Sequence, residues 1–388
     1  MIAARNEADV IDAVLSARAR SRTLEILGSG TKRAYGRPVA CDDVLDISGL
    51  RGIVAYEPAE LILTVLPGTP VADIVALLAE KNQRLGFEPA DWGPLLGAPA
   101  NKATIGGVLS ADANGCAAIR YGRARDSLLG FRAVNGLGEA YKAGGKVVKN
   151  VTGFDLPKLM CGAMGTLGIL TEVTLRVYPK PTQSAALIVR DVNVEEGLSV
   201  LRRVWQSPLE ATALAYVPAS APLALMGYIG EGAAFIRLEG EHEPLKEKIA
   251  AFLAITPRAQ EIETSNLFAA IANGEALVGK DCDVWRVSVP QPAAAAIPQQ
   301  MESPLFNVDR AGGALWIGLE PGGNGAKLRA LCETAGGHAT LVKADEDTRR
   351  RVAPFTQEPS AHRALTKSVK AAFDPLNIFN PGRMWKSV

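Results

Sequence analysis

An α+β fold in two parts is what this sequence predicts, and three observations carry the prediction. Glycine-rich segments at 28–32, 104–107 and 165–168 punctuate short apolar strands and helices over the first 180 residues. From Ala185 onward, helices alternate with strands of antiparallel character, the texture of an α+β layer. Pro179-Lys180-Pro181 separates the two textures. The expected division is 1–182, 183–345 and a tail, 346–388, that returns to the first part. At 388 residues the chain exceeds one ordinary core.

The elements follow in order. Residues 8–20 read as a helix with Val10, Ile11, Val14 and Leu15 on one face. Short strands are expected at 23–27, 44–47, 53–56 and 61–65. Pro70 suits the first turn of a helix over 70–83. Residues 128–135 and 139–142 form a hairpin around Gly136-Leu137-Gly138. A helix at 155–164 and a strand at 168–178 close the first part. In the second, strands are expected near 186–189, 213–217, 224–229, 233–238, 284–289, 314–319 and 338–342. Helices fall at 194–205, 243–254, 265–273 and 325–335, with a last one at 360–373. The aromatic, turn-rich tail Phe373 to Met384 is expected to dock on a core.

A net charge of +1 gives no general attraction to nucleic acid or acidic membranes, so any anion site is local. The five cysteines are scattered without CxxC, which argues against a disulfide framework, a zinc ribbon or a cysteine-ligated iron–sulfur cluster. Reduced thiols fit a cytoplasmic protein. The polar start does not read as a signal peptide, and no apolar run reaches the length of a membrane span.

The glycine segments carry the chemistry. Glycine lets backbone N–H groups approach a ligand closely, and concave clusters of such groups suit a pyrophosphate. Three clusters suggest a long phosphate-bearing cofactor gripped at several points. The first, Gly28-Ser29-Gly30-Thr31-Lys32, lacks the third glycine of a dinucleotide fingerprint, since Arg33 stands there. Gly145-Lys146 is followed by Val147, so no P-loop exists.

The ordered set Gly28–Lys32, Pro67-Gly68-Thr69, Thr104-Ile105-Gly106-Gly107, Asn114-Gly115, Arg120-Tyr121-Gly122 and Gly165-Thr166-Leu167-Gly168-Ile169, with the tail motif Phe379-Asn380-Pro381-Gly382-Arg383, resembles the FAD domain of the vanillyl-alcohol-oxidase superfamily. Within it, the stretch from Gly144 to Leu156 is similar to the FAD-binding subunits of bacterial glycolate oxidases. The resemblance covers most of 20–180 and the tail, and is weak across 185–345. It implies a two-lobed PCMH-type FAD-binding domain plus an α+β cap domain with an antiparallel sheet. It also implies FAD bound non-covalently, since Gly28–Gly36 has no histidine and Cys116 reads as a small packed residue.

Under that resemblance the amides of Gly28–Thr31 and Thr104–Gly107 would hold the pyrophosphate. Ser110, Asn114 and Gly115 would lie along the flavin and ribityl chain. Ile169, after Gly165 and Gly168, would meet the adenine end, and Asn380 and Arg383 the isoalloxazine. Ser29, Lys32, Pro89, Ile105, Arg120, Tyr121 and Gly122 complete the expected cofactor-binding set. The implied activity is oxidation of glycolate to glyoxylate, beside a sister FAD subunit and an iron–sulfur subunit, in the cytoplasm or peripheral at the inner membrane through those partners.

Related FAD-dependent 2-hydroxyacid dehydrogenases hold a metal with paired histidines; His242, His338 and His362 are unpaired in sequence, so no metal is expected. No catalytic residue is identifiable. Arg120, Arg123 and Arg125 are candidates for a phosphate or carboxylate, weighed against a solvated loop. Lys149 is weighed between the flavin and the surface, and Arg349-Arg350-Arg351 reads as a solvated helix face. Two alternatives stay open: a self-sufficient dehydrogenase of another small 2-hydroxyacid, and a non-catalytic assembly subunit that keeps the FAD fold.

Overall fold

The computed structural model describes residues 1–145, 153–221, 230–263, 266–303, 305–357 and 359–386. The expected strand at 224–229, together with Lys146 and Lys149, lies outside the described residues. The chain forms two compact units. Unit 1 comprises 1–113, 122–179 and 349–388; unit 2 comprises 114–121 and 180–348.

Unit 1 begins with β1 (Ile2–Ala3) and α1 (Glu7–Ala19). Asn6 caps α1 by accepting the Asp9 N–H at 2.9 Å. With β2 (Leu24–Leu27) and β3 (Asp43–Asp46), β1 makes a parallel sheet in the order β1-β3-β2. Val10, Ala13, Val14 and Ala17 of α1 join its core with Leu24 and Leu45. Leu15, expected on that face, is 43% exposed. The small Ala13 and Ala17 take its place and let the helix sit close.

Next come β4 (Ile53–Glu57), β5 (Ile62–Val65), α2 (Val71–Ala79), β6 (Gln83–Arg84) and α3 (Ile105–Ala111). The short α4 (Ala118–Tyr121) lies in the stretch that groups with unit 2. Unit 1 resumes with α5 (Ala124–Ser127), β7 (Leu128–Val134), β8 (Ala140–Gly144), α6 (Leu156–Met160), β9 (Ile169–Arg176) and β10 (Tyr178–Pro179). An antiparallel sheet runs β4-β5-β9-β7-β8, and β6 pairs β10. The expected hairpin is β7/β8, with Val134 opposite Ala140. The helix expected at 155–164 stops at Met160, followed by positive-φ Gly162 and Gly165.

Unit 2 contains β11 (Gln183–Arg190), α7 (Val194–Trp205), β12 (Ala213–Pro218), β13 (Gly232–Gly240), α8 (His242–Ile255), β14 (Gln260–Ile262), α9 (Leu267–Asn273), β15 (Asp283–Ser288), α10 (Ala296–Gln300), β16 (Leu305–Asp309), β17 (Ala314–Leu319), α11 (Gly325–Thr334) and β18 (His338–Lys343). Its eight strands form one antiparallel sheet, β14-β11-β13-β12-β16-β17-β15-β18. Alternation puts Leu214, Tyr216, Ile236, Trp285, Val308 and Ile317 on one face. The helices cover it. A Cβ on Gly197 of α7 would come within 2.4 Å of the Tyr216 ring, and one on Gly325 of α11 within 2.4 Å of Trp285. The chain ends with α12 (Glu346–Arg351) and α13 (Ser360–Phe373). Arg349 is not solvated as expected: it is buried in unit 1 and donates to the Gly36 carbonyl at 3.2 Å.

Candidate cofactor site

β2 runs directly into Gly28–Lys32. Among the described residues, no protein acceptor takes the N–H groups of Gly28, Ser29, Gly30, Thr31 or Lys32. Five adjacent unclaimed amides make a row of partial positive charge. Gly30 lies at φ +75, which favours glycine. The Lys32 Nζ beside them is buried and has no hydrogen-bond partner. Burial pushes this ammonium down to about 8, with Asp91 opposing the shift.

The second glycine segment is a helix, not a loop. Thr104 caps α3, its Oγ1 accepting the Gly107 N–H at 3.3 Å. The Ile105 N–H donates to the Thr69 carbonyl at 3.0 Å and the Gly106 N–H to the Pro67 carbonyl at 2.8 Å. These two amides are therefore not available to a pyrophosphate, contrary to the expectation. The glycines here serve close packing. A Cβ on Gly106 would lie 2.7 Å from the Pro67 Cβ, and one on Gly28 would lie 2.7 Å from Thr104 Oγ1.

The third segment closes the cradle. Met164 donates its N–H to the Ser110 carbonyl at 2.9 Å. Gly165 has φ +69, and a Cβ there would meet Asn380 Nδ2 at 2.9 Å. The tail braces both segments. Asn380 accepts the Ile26 N–H at 2.9 Å and donates to the Met164 carbonyl at 2.8 Å. Arg383 donates to the Lys32 and Arg33 carbonyls at 3.1 and 2.8 Å. Burial pulls its guanidinium down to about 10, against the pull of Glu25. Under the tail, buried Lys370 donates to Asp374, Thr166 and Phe379, while Asp374 accepts the Ile378 and Phe379 N–H groups.

Gly28–Lys32, Thr104, Gly106, Gly107, Ser110, Gly165, Asn380 and Arg383 thus line one cleft. Tyr35 and Met164 line it too, and the sequence reading missed both. Tyr35 is buried edge-on to Trp92 at 5.5 Å. Five expected residues sit elsewhere in unit 1, the buried Ile105 of α3 among them. Ile169 is in the hydrophobic core, and Gly168 packs against Tyr141, where a Cβ would lie 3.0 Å from its hydroxyl. Pro89 precedes Ala90, whose N–H bonds Ala113, and Gly122 sits against Asp126. Asn114, Gly115, Arg120 and Tyr121 belong to the stretch of unit 2. Arg120 pairs there with Glu210, both half-exposed, rather than lining this cleft. Cys116 is buried and donates to the Phe268 carbonyl. Arg123 pairs with Asp112.

The histidines stand apart. His242 opens α8, exposed, with Nδ1 3.0 Å from Gln183; His338 and His362 are exposed on β18 and α13. Among the described residues, no group of three His, Cys, Asp or Glu side chains is arranged to hold a metal, and no helix is long and apolar enough to cross a membrane.

A row of unclaimed amides and one unpartnered ammonium fit the pyrophosphate of a dinucleotide cofactor. The comparisons agree. The FAD binding domain family matches residues 1–144. p-Cresol methylhydroxylase with substrate bound superposes with a TM-score of 0.74 at 16% identity, over 98% of this chain and 88% of that one. The fold is that of PCMH-type FAD-binding proteins, with a large antiparallel sheet beside the FAD domain, and the family match and hydroxyacid-oxidising relatives make the chain an FAD-dependent oxidoreductase. The glycolate oxidase subunit GlcE of Escherichia coli is 32% identical over 93% of this chain and 92% of its own length. The chain belongs to that family of glycolate oxidase FAD-binding subunits. The subunit GlcD of Bacillus subtilis is 28% identical over 52% of this chain, which spans only 41% of that protein.

Proposed function

We propose that the chain binds FAD non-covalently in the unit 1 cleft and serves in a glycolate-oxidising complex with a sister FAD subunit and an iron–sulfur subunit. Likeness to GlcE along almost the whole of both chains carries this reading. Similarity to GlcD supports a sister flavin subunit of common origin. Any attachment to the inner membrane would run through the partners.

Within the cleft, the amides of Gly28–Lys32 and the Lys32 ammonium hold the pyrophosphate, and Asn380 and Arg383 keep the loop in shape. Flavin, when bound, supplies a two-electron acceptor for the hydrogen on an alcohol carbon. In the complex, oxidation of glycolate to glyoxylate would pass two electrons and the carbon-bound hydrogen to flavin and release the hydroxyl proton to a base or to solvent. Pre-placed amides need no reorganisation on binding, which favours tight retention of the cofactor.

The test is the anaerobic visible spectrum, taken on the purified chain alone and on the chain copurified with its neighbouring subunits. FAD is expected in both, released by acid denaturation. Glycolate is expected to bleach the complex and leave the isolated chain oxidised. Bleaching of the isolated chain would replace the subunit reading with a self-sufficient dehydrogenase. Flavin that stays with the denatured chain would rule out non-covalent binding.

A further inference from the structure

The positive charge of this chain is concentrated at its end. Residues 349–388, the last segment of unit 1, carry eight Lys and Arg residues against two Asp and Glu, whereas the whole chain carries 42 against 41. The remainder is therefore net acidic, and this segment stands out from it as a basic surface. At its centre is α13, which holds His362, Arg363, Lys367 and Lys370 and no Asp or Glu.

α13 lacks the common supports of a helix. Of its 14 residues only Lys370 is buried. Residues 360–365, 367 and 368 are exposed, so the first two turns project from unit 1. Pro359 at the N-cap makes no side-chain hydrogen bond, and the first turn holds no acid. Arg363 closes that turn instead, near the positive end of the helix dipole. A helix of this length draws most of its stability from packing one face against a neighbour. Within the chain α13 packs only toward its end, at Lys370 and the half-buried Val369 and Phe373.

The projecting part has two unlike sides. Leu365 is 65% exposed, and the exposed Ala361 and Ala372, four residues before it and seven after it, share its side. At about 100° per residue, Arg363 and Lys367 each lie roughly 160° from Leu365, on the opposite side. A lipid surface touches one side of a helix, so Leu365 could enter it only with both cations turned away from the headgroups. A protein groove touches both sides. The pattern suits helix-in-groove recognition, with one apolar wall and one acidic wall.

We propose that α13 docks the chain into a groove of a partner subunit, with Leu365 and its flanking alanines on the apolar wall and Arg363 and Lys367 on the acidic one. The proposal rests on the reading of the chain as a subunit of a larger complex, and names the surface that joins it. Docking supplies what the helix lacks, burial for Leu365 and negative charge beside its cations. Hydrophobic period locates the helix in the sequence, but a net charge of +1 for the whole chain conceals the basic segment around it.

The experiment is amide hydrogen exchange of the FAD-loaded full-length chain, alone and in the complex copurified with its neighbouring subunits. The amides of 360–369 are expected to exchange at near-unprotected rates in the isolated chain and about tenfold or more slowly in the complex. Leu365→Gln and Lys367→Glu, both at exposed positions, should each lower the yield of copurified subunits about tenfold, while Lys367→Arg keeps it. Flavin content and circular dichroism of the isolated variants should match the parent chain, which separates lost docking from lost folding. Assembly should weaken as ionic strength rises, and less steeply in Lys367→Gln. Equal exchange in chain and complex, or full assembly of Leu365→Gln and Lys367→Glu, would overturn the docking helix and leave the subunit reading standing. A parent chain that copurifies with no subunit would overturn both. Pelleting of the isolated chain with phosphatidylglycerol vesicles, lost in Leu365→Gln, would replace the groove with a lipid surface.

Discussion

The cleft of unit 1 and the polar sheet face of unit 2 present hydrogen-bond donors by opposite means. In the cleft, the donors are main-chain N–H groups of Gly28–Lys32, with one side-chain cation beside them. On the sheet, the donors are side chains of Arg286 and Asn307, held by strands paired in fixed register. A backbone site depends on which residues permit the path of the chain, so it is sensitive to added Cβ atoms. A side-chain site depends on residue identity at a few positions far apart in sequence. Each therefore fails under a different kind of substitution.

The largest effect should come from Gly106→Val. A Cβ at this position would lie 2.7 Å from the Pro67 Cβ and 2.9 Å from its carbonyl oxygen, so α3 must move away from the loop before it. Flavin content after gel filtration is expected to fall to background. Gly107→Ala is the milder comparison, since a Cβ there meets only Thr104 Oγ1, at 3.3 Å. Retention of FAD by Gly106→Val would show that close packing of α3 does not shape the cleft.

Lys370→Met tests the brace beneath the tail. It leaves Asp374 buried without its cation, and breaking such a pair costs about 3–5 kcal/mol. Chemical denaturation should show the loss, and limited proteolysis should cut near the tail first. An unchanged denaturation midpoint would mean that the tail is held without the Lys370–Asp374 pair.

The unligated chain should also respond to pH through Lys32. Its amine is depressed from 10.5 to about 8 in the folded state, so the unfolded chain holds more protons between those values. Stability should therefore rise as pH rises from about 8 to 10.5, by about 3 kcal/mol at most. Lys32→Met should flatten that rise. An equal rise in both proteins would place the titration elsewhere.

The smallest effect is expected from Arg120→Ala. Its partner Glu210 is half-exposed, and such surface pairs contribute about 0–1 kcal/mol. Flavin retention should not change. A clear loss of FAD would restore the cofactor role that the sequence suggested for Arg120.

The contrast also explains what the sequence could reveal. Gly28, Gly106 and Gly165 were legible because a chain that must pass so close to Thr104, Pro67 and Asn380 excludes most side chains, and Gly30 because its φ of +75 favours glycine. Their meaning was less legible. The amides of Ile105 and Gly106 were expected to face a phosphate, but they close hydrogen bonds with Thr69 and Pro67. A glycine pattern shows that something approaches closely without saying whether it is a ligand or the chain itself. Most helices and strands followed from hydrophobic period. β16 did not, because Asn307 and Asp309 occupy its second face, where a buried strand normally carries apolar residues. The residues that hid the strand are the ones that make the face polar. The assignment of 114–121 to unit 2 had no sequence signal, since it arises from contacts such as Cys116 with Phe268, 152 positions apart.

The most direct test of the cradle is the FAD dissociation constant of the reconstituted chain and of Lys32→Met, measured from pH 6 to 10. A charge-assisted contact contributes about 1.5–3 kcal/mol, so the variant should bind roughly ten- to a hundredfold more weakly at pH 7. Below pH 8 the Lys32 amine is already protonated, and the affinity of the parent chain should be flat. Above it, binding must take up a proton, and affinity should fall with each further unit, while Lys32→Met stays level. Equal affinities and equal slopes in the two proteins would contradict a pyrophosphate held between the Gly28–Lys32 amides and the Lys32 ammonium.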